Sequence, residues 1–247
     1  ATVRNVGFTN VNISSPTDAI NTRLGSVAGN GSITAAVTNS VSQVWATGFI
    51  NQTSAGTAKT EVGGLFGGAP AGTLNITKSW SSVAISTKAY SVGSGGIIGT
   101  NVGSFSGGTS SGAALTITES YSTGNILRDL PTSPLWYGNA GIIGVSYGTS
   151  TTLTNVFSWG NINSTGGGAG TSTAGISGVG AATVTNAYTT HAACGGTASN
   201  CVGSVVAGSA PTTGTGFGTG LWSTTNGASL VNLTPPTKAL YVQVIAP

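Results

Sequence analysis

One short pattern that ends in an aromatic residue recurs five times along the chain and constrains the fold more than any other feature. In each copy the residue four positions before the aromatic is apolar, and both of its neighbours are Ser, Thr or Asn. This alternation with a period of two residues is typical of a half-buried β-strand. The copies are SVSQVW at 40–45, NITKSW at 75–80, TITESY at 116–121, TLTNVF at 152–157 and TVTNAY at 183–188.

A second, glycine-rich phrase precedes the strand pattern. The aromatic residues at 45, 80, 121, 157 and 188 are separated by 35, 41, 36 and 31 residues, and this period is typical of solenoid repeats. Each unit has too little apolar surface to fold alone, so the units are expected to stack. The phrase reads GGLFG at 63–67, GGIIG at 95–99, AGIIG at 140–144 and AGISG at 174–178, with weaker copies at 24–29 and 202–208.

Together the two phrases resemble the GLUG repeat of bacterial surface proteins, in which a Gly-Gly-Leu-x-Gly strand is followed by an Ile-x-Asn-Ser-Tyr strand. The resemblance covers most of residues 1–210, and 3–13 and 221–230 look like the lead-in strand and closing segment of such arrays. It implies a right-handed parallel β-helix on a large secreted or wall-attached protein, often without known enzymatic activity. Asn155 and Asn186 match the turn asparagine of the family, whereas Gln43, Lys78 and Glu119 replace it and interrupt an asparagine ladder.

The repeats therefore predict an all-β chain that forms a parallel β-helix, or solenoid, of five to seven irregular coils with variable loops. Residues 1–210 are expected to form the repeats, and 211–247 a closing segment with an apolar terminal strand in the same domain. Residues 1–14 are expected to form two strands, 2–4 and 10–13, joined through Gly7 and Phe8. Two apolar ladders should run inside the stack: Val41, Ile76, Ile117, Leu153 and Val184 in one, and Leu65, Ile97, Ile142 and Ile176 in the other.

The surface is expected to be almost uncharged. Only 4% of the residues are Asp, Glu, Lys or Arg, against about 25% in a typical globular domain. The seven bases are dispersed, so no basic patch for nucleic acid is predicted, and no apolar run is long enough for membrane insertion. The start at Ala1 fits a mature form after leader removal, or a fragment of a longer protein.

The two cysteines, Cys194 and Cys201, enclose a short loop. In a secreted chain without other cysteines a disulfide is the favoured interpretation, worth about 2.5 kcal/mol from loop entropy. Zinc binding is the weaker alternative, because His191 is the only neighbouring ligand type and zinc needs three or four ligands.

Catalytic chemistry has few candidate residues. The four acids, Asp18, Glu61, Glu119 and Asp129, fall in different coils and do not form a catalytic pair of carboxylates. A polysaccharide-binding or polysaccharide-processing β-helix is therefore only a remote alternative. Glu119 and Lys78 both stand two residues before their aromatic, which predicts a salt bridge between stacked turns. We therefore expect no enzyme activity, no cofactor and no metal.

Six Asn-x-Ser/Thr sequences could accept N-linked glycans. About five would arise by chance in a chain this rich in Asn, Ser and Thr, so they permit glycosylation without arguing for it. They begin at Asn12, Asn30, Asn51, Asn75, Asn163 and Asn232.

Two functions from different classes follow. The first is an extracellular structural or interaction protein, either an adhesin stalk or the subunit of a cell-surface filament, which associates with itself, with other surface proteins or with glycans. A solenoid has open ends where strand edges can pair with a neighbour. The apolar terminal strand is a candidate for that contact, through Leu240, Tyr241, Val242, Val244 and Ile245.

The second function is ice binding by a face of hydroxyl-bearing residues. Two such residues per coil would project from one side of the solenoid in a regular grid, which resembles the Thr-x-Thr face of solenoid antifreeze proteins. The competing interpretation is that Thr simply favours strands. The residues of this face are Ser40, Ser42, Asn75, Thr77, Thr116, Thr118, Thr152, Thr154, Thr183 and Thr185.

Overall fold

The computed structural model of this protein describes residues 1–16, 21–32, 34–53, 59–88, 90–103, 112–129, 137–165 and 171–202. These residues form strands and connections without a helix. In chain order the strands are β1 Thr2–Ser15, β2 Thr22–Gly25, β3 Ala28–Asn30, β4 Thr38–Gln52, β5 Lys59–Gly63, β6 Phe66–Gly68, β7 Thr73–Thr77, β8 Trp80–Thr87, β9 Tyr90–Gly95, β10 Ile98–Thr100, β11 Gly112–Ser122, β12 Ile126–Asp129, β13 Tyr137–Ala140, β14 Ile143–Ser146, β15 Gly148–Ser158, β16 Ile162–Thr165, β17 Thr171–Ala174, β18 Ser177–Gly180, β19 Thr183–Thr189 and β20 Thr197–Val202.

The strands stack in three parallel sheets, so the predicted β-solenoid is confirmed. The long sheet has the order β16-β12-β8-β4-β7-β11-β15-β19-β20, with β1 beside β4. Two five-stranded sheets, β17-β13-β9-β5-β2 and β18-β14-β10-β6-β3, complete each coil. The described residues make about four turns.

A column of left-handed residues bends the long sheet. We call it the corner column, and its members have φ between 49° and 56°: Asn5, Gln43, Lys78, Glu119, Asn155 and Asn186. The strand segments before this column form the front face of the solenoid, and those after it form the side face. The backbone therefore turns at the same place in every coil, although asparagine occupies only part of the column.

Both predicted apolar ladders are confirmed. The first ladder runs in register from β4 through β7, β11 and β15 to β19, and all of its members are buried: Val41, Ile76, Ile117, Leu153 and Val184. In the second ladder each backbone amide donates to the carbonyl of the matching residue in the next coil. The distances are 2.9 Å from Leu65 to Ile97, 3.1 Å from Ile97 to Ile142 and 3.2 Å from Ile142 to Ile176. These two ladders form the centre of the core.

The aromatic residues that end each strand pattern stack just behind the corner column. The ring centroids of Trp45 and Trp80 lie 5.1 Å apart, those of Trp80 and Tyr121 5.6 Å apart, and those of Tyr121 and Phe157 4.6 Å apart. The rings are within 9° of parallel. Such stacking adds about 0.5–1.5 kcal/mol per pair beyond area burial, so it holds the coils in one register.

Small residues explain why the two repeated phrases occur together. A buried hydroxyl residue follows each aromatic in β8, β11, β15 and β19: Ser81, Ser122, Ser158 and Thr189. A Cβ on Gly96 would overlap the Ser122 hydroxyl, and one on Gly141 would overlap the Ser158 hydroxyl. The glycine-rich phrase and the residue after the aromatic must therefore both stay small, because they pack directly against each other.

The N-terminal segment differs from the expectation. Residues 2–15 form one strand, β1, instead of two strands joined through Gly7 and Phe8. A register shift between Phe8 and Val11 absorbs the irregularity while pairing with β4 continues on both sides of it. The expected closing segment at 211–247 lies outside the described residues.

Candidate functional site

The front face carries the hydroxyl residues in two straight columns. Register aligns Ser40, Asn75, Thr116, Thr152 and Thr183 in one column, and Ser42, Thr77, Thr118, Thr154 and Thr185 in the other. The first column continues to Thr2 at one end and Thr197 at the other. The predicted ladder residues are thus brought together on one surface.

The spacing of these columns is set by the sheet. Neighbouring strands lie about 4.8 Å apart and alternate residues on one strand about 6.6 Å apart. Thr116, Thr152 and Thr183 are exposed, and the other seven members of the two columns are half-buried. The face therefore presents methyl and hydroxyl groups to solvent on a regular two-dimensional grid.

The corner column borders this grid and carries its nearest charges. Lys78 Nζ lies 3.9 Å from Glu119 Oε2 in the next coil, which confirms the predicted salt bridge between stacked turns. Further along, Asn186 Nδ2 donates to Asn155 Oδ1 at 3.1 Å. The opposite charges lie beside each other, so the border of the face has no net charge at this point.

Serine hydroxyls replace part of the backbone ladder at the corner. The Val44 amide donates to Ser79 Oγ and the Ser79 amide to Ser120 Oγ, both at 3.1 Å. The left-handed residue turns these amides out of the normal strand pairing, and the buried hydroxyls accept their hydrogen bonds. Sequence analysis missed this role, although serine immediately before the aromatic in two adjacent coils was a usable signal.

The N-terminal end of the solenoid exposes a strand edge. Strand β1 pairs with β4 on one side, and no strand of the described residues pairs with its other side. Val3, Val6, Phe8 and Ile13 pack against the core but are only half-buried, because no further coil covers them among the described residues. An open edge above exposed apolar surface is a template for strand addition.

A buried ion pair lies near the same end, between β2 and β5. Arg23 Nε donates to Glu61 Oε2, and Arg23 Nη2 donates to Glu61 Oε1 at 3.3 Å. The Glu61 side chain is fully buried, and this burial raises its pKa, although the hydrogen bond and charge of Arg23 act in the opposite direction. The pair was not predicted, although alignment of the weak copy at 24–29 with GGLFG at 63–67 through Gly25 and Gly63 places Arg23 opposite Glu61.

The predicted disulfide is present between Cys194 and Cys201. Cys201 belongs to β20, and the Cys194 carbonyl accepts hydrogen bonds from the amides of Ile176 and Ser177, both at 3.0 Å. The bond therefore joins two segments of the last described coil, and the Cys194 segment is hydrogen-bonded to the coil beneath it.

The glycosylation sequences reach the surface at several places. Asn12 in β1, Asn30 in β3 and Asn163 in β16 are exposed, whereas Asn51 in β4 and Asn75 in β7 are half-buried. Three of the predicted features lie outside the described residues. They are Asn232, Asp18 and the expected subunit contact at Leu240, Tyr241, Val242, Val244 and Ile245.

Within the described ranges, no group of three or more His, Cys, Asp or Glu side chains is arranged to hold a metal ion. No helix in that part of the chain is long and apolar enough to cross a membrane. No family model, curated protein or solved structure matches the chain. The likeness to GLUG repeats therefore rests on the motif alone.

Proposed function

We propose that this protein is a non-catalytic, extracellular structural protein that assembles end to end into a surface filament or adhesin stalk. The observation that carries the proposal is the edge of β1 that no strand of the described residues covers, called the free edge below. This edge is fourteen residues long and lies above half-buried apolar side chains, so a strand that pairs with it would bury Val3, Val6, Phe8 and Ile13. Uncovered edges of this length favour association between chains.

The charge distribution supports the same proposal. Two of the four acids lie beside bases, Glu61 beside Arg23 and Glu119 beside Lys78. These carboxylates are in different coils and serve pairing between strands, so they do not form the kind of acid pair that cleaves polysaccharides. The disulfide supports an oxidising, extracellular location.

The direction of the backbone groups in β1 gives a specific test. The Ser15 carbonyl accepts from the Thr53 amide at 3.3 Å, and the Ala1 carbonyl accepts from the Ser40 amide at 2.9 Å. Successive residues of a strand point their backbone groups to opposite sides, so Thr2 and Ser14 direct their amides toward the free edge. Proline at these two positions removes donors from the free edge and leaves pairing with β4 intact.

We expect the Thr2→Pro/Ser14→Pro variant to stay folded, judged by circular dichroism, and to lose assembly, judged by negative-stain microscopy and sedimentation. The matched control is Ile13→Pro, because Ile13 directs its amide toward β4 and its replacement should destabilise the fold. A native chain that remains strictly monomeric at high concentration would contradict the filament, as would full assembly of the edge variant.

Deletion of residues 238–247 tests whether the terminal strand of a neighbouring subunit occupies this edge. If the strand docks on a neighbour, the truncated chain should be folded and monomeric. If the strand instead covers its own solenoid, the truncated chain should unfold or aggregate, and the contact between subunits must involve another segment.

We propose ice binding as the second candidate function, and one observation favours it. The hydroxyl columns are aligned across five coils, and the charges of Lys78 and Glu119 on their border are paired. A flat grid of methyl and hydroxyl groups matches the repeat of a crystalline surface better than that of a flexible ligand.

Thermal hysteresis and ice-crystal shape test this candidate. Thr118→Lys and Thr154→Lys place a charge in the middle of the grid and should abolish any hysteresis. Ser86→Lys is the control, because Ser86 is half-buried on the side face and should tolerate the same charge. Normal ice growth at high concentration of the native protein would rule the candidate out.

A further inference from the structure

The side face contains a row of small residues between two rows of larger ones. Ser82, Ala84 and Ser86 project outward from β8 and are half-buried. In β4 on one side, Phe49 is aligned with Ala84, and in β12 on the other side, Leu127 is aligned with Ser86. The small row therefore forms the floor of a shallow groove that runs along β8.

The walls of this groove hold two of the three large apolar side chains that are exposed among the described residues. Phe49 is 40% exposed on the β4 wall and Leu127 is 44% exposed on the β12 wall, whereas Val37, at 39%, precedes β4 and lies away from the side face. The walls are about 10 Å apart, because β4 and β12 are separated by two strand spacings. Phe49 is aligned with Ala84 and Leu127 with Ser86, so the two side chains lie diagonally across the groove, two residues apart along the strands. Exposed apolar side chains that border one groove indicate binding, whereas scattered ones need no explanation.

The polar groups next to Phe49 and Leu127 on these rows are uncharged. Asn51 lies beside Phe49 on one wall and Asn125 beside Leu127 on the other, while Ser82 and Ser86 place hydroxyls on the floor. Amides and hydroxyls both donate and accept hydrogen bonds, so they complement a ligand rich in hydroxyl groups. At one end of the groove Lys88 continues the floor row and Asp129 continues the β12 row, and their opposite charges favour neither an anionic nor a cationic ligand.

An extended peptide fits this groove less well. The backbone groups of β4, β8 and β12 are used in pairing within the sheet, so no strand edge is available to a peptide backbone on this face. A saccharide needs no such edge, because it presents an apolar ring face to an aromatic side chain and hydroxyls to the groups beside it.

We propose that this groove binds a neutral, linear oligosaccharide, with Phe49 against a ring face, Leu127 diagonally across the groove from it, and Asn51, Asn125, Ser82 and Ser86 on the ring hydroxyls. The inference goes beyond assembly through β1, which uses another surface. A variant can therefore lose assembly and still bind the saccharide, and another variant can lose saccharide binding and still assemble.

Titration calorimetry of the full chain with cellohexaose, mannohexaose, chitohexaose and maltohexaose tests the proposal. We expect at least one to bind with a Kd of about 1 mM or tighter. Phe49→Ala removes the ring platform and Ala84→Gln fills the floor. Each should weaken binding by at least about tenfold, equivalent to ~1.4 kcal/mol.

Val37→Ala is the matched control, because Val37 is as exposed as Phe49 and lies away from the side face. It should leave binding unchanged, and circular dichroism checks that each variant is folded. The proposal is overturned if none of the four hexasaccharides binds, if Phe49→Ala and Ala84→Gln both bind as the native chain does, or if Val37→Ala weakens binding equally.

Discussion

Replacing Gln43, Lys78 and Glu119 together by asparagine should stabilise the solenoid. These residues have φ of 54°, 52° and 49°, a conformation that costs an ordinary L-residue roughly 1–2 kcal/mol and that asparagine tolerates better. If asparagine relieves about half of that cost, the gain is roughly 0.5–1 kcal/mol at each position, or about 1.5–3 kcal/mol for three.

The salt bridge lost in this variant offsets part of the gain. The Lys78 and Glu119 side chains are 38% and 22% exposed and their charged atoms are 3.9 Å apart, so the pair is worth about 0.2–1 kcal/mol. The expected net stabilisation is therefore about 1–2 kcal/mol. Asn155 and Asn186 already form a side-chain hydrogen bond in this column, and the variant would allow that ladder to extend.

Urea unfolding measures the effect as a higher midpoint with an unchanged slope. Gln43→Val is the control of opposite sign, because a β-branched side chain strongly disfavours the left-handed region. The same stability or a lower one in the asparagine variant would refute the argument that backbone conformation, rather than side-chain contacts, limits stability at the corner.

Two further predictions concern the core. Trp80→Ala should lower the free energy of unfolding by about 3–5 kcal/mol, and Trp45→Ala by roughly half as much. The reason is that Trp80 is fully buried between two rings, whereas Trp45 is half-buried at the end of the stack. Equal losses for the two variants in urea unfolding would contradict the stacking argument. Burial raises the pKa of Glu61 above its ordinary value of 4.5, so the folded state keeps this proton to higher pH than the unfolded state does. Stability should therefore fall as the pH rises from about 4.5 toward neutrality. Glu61→Gln should flatten this part of the plot of midpoint temperature against pH. If the plot for Glu61→Gln is the same as that for the native chain, Glu61 does not titrate in this range.

The alternation of residue types was sufficient to predict the stacking. The apolar residue four positions before each aromatic has one environment in every coil, so Val41 and Val184 could be placed in one ladder without coordinates. The same counting placed Lys78 beside Glu119 and aligned the ten hydroxyl residues of the front face. These inferences succeeded because a strand repeats every two residues and a solenoid repeats its whole coil.

Other features required the fold. Alignment of the glycine-rich phrases places Arg23 opposite Glu61, but the burial of the two charges against each other follows from the packing of β2 beside β5. The groove on the side face arises because β8 places small residues between Phe49 and Leu127, which come from different coils. The prediction of two N-terminal strands was wrong because Gly7 and Phe8 have turn-like composition, yet pairing with β4 keeps them extended.

The sequence by itself therefore determined which residues stack, since local alternation and a recurring aromatic repeat the same contacts from coil to coil. Only the tertiary structure decided how the chain turns between faces and which surfaces remain open. A left-handed backbone at Gln43, Lys78 and Glu119 is locally unfavourable, and it persists because the stacked aromatic rings and the buried hydroxyls of Ser79 and Ser120 repeat the same contacts between neighbouring coils.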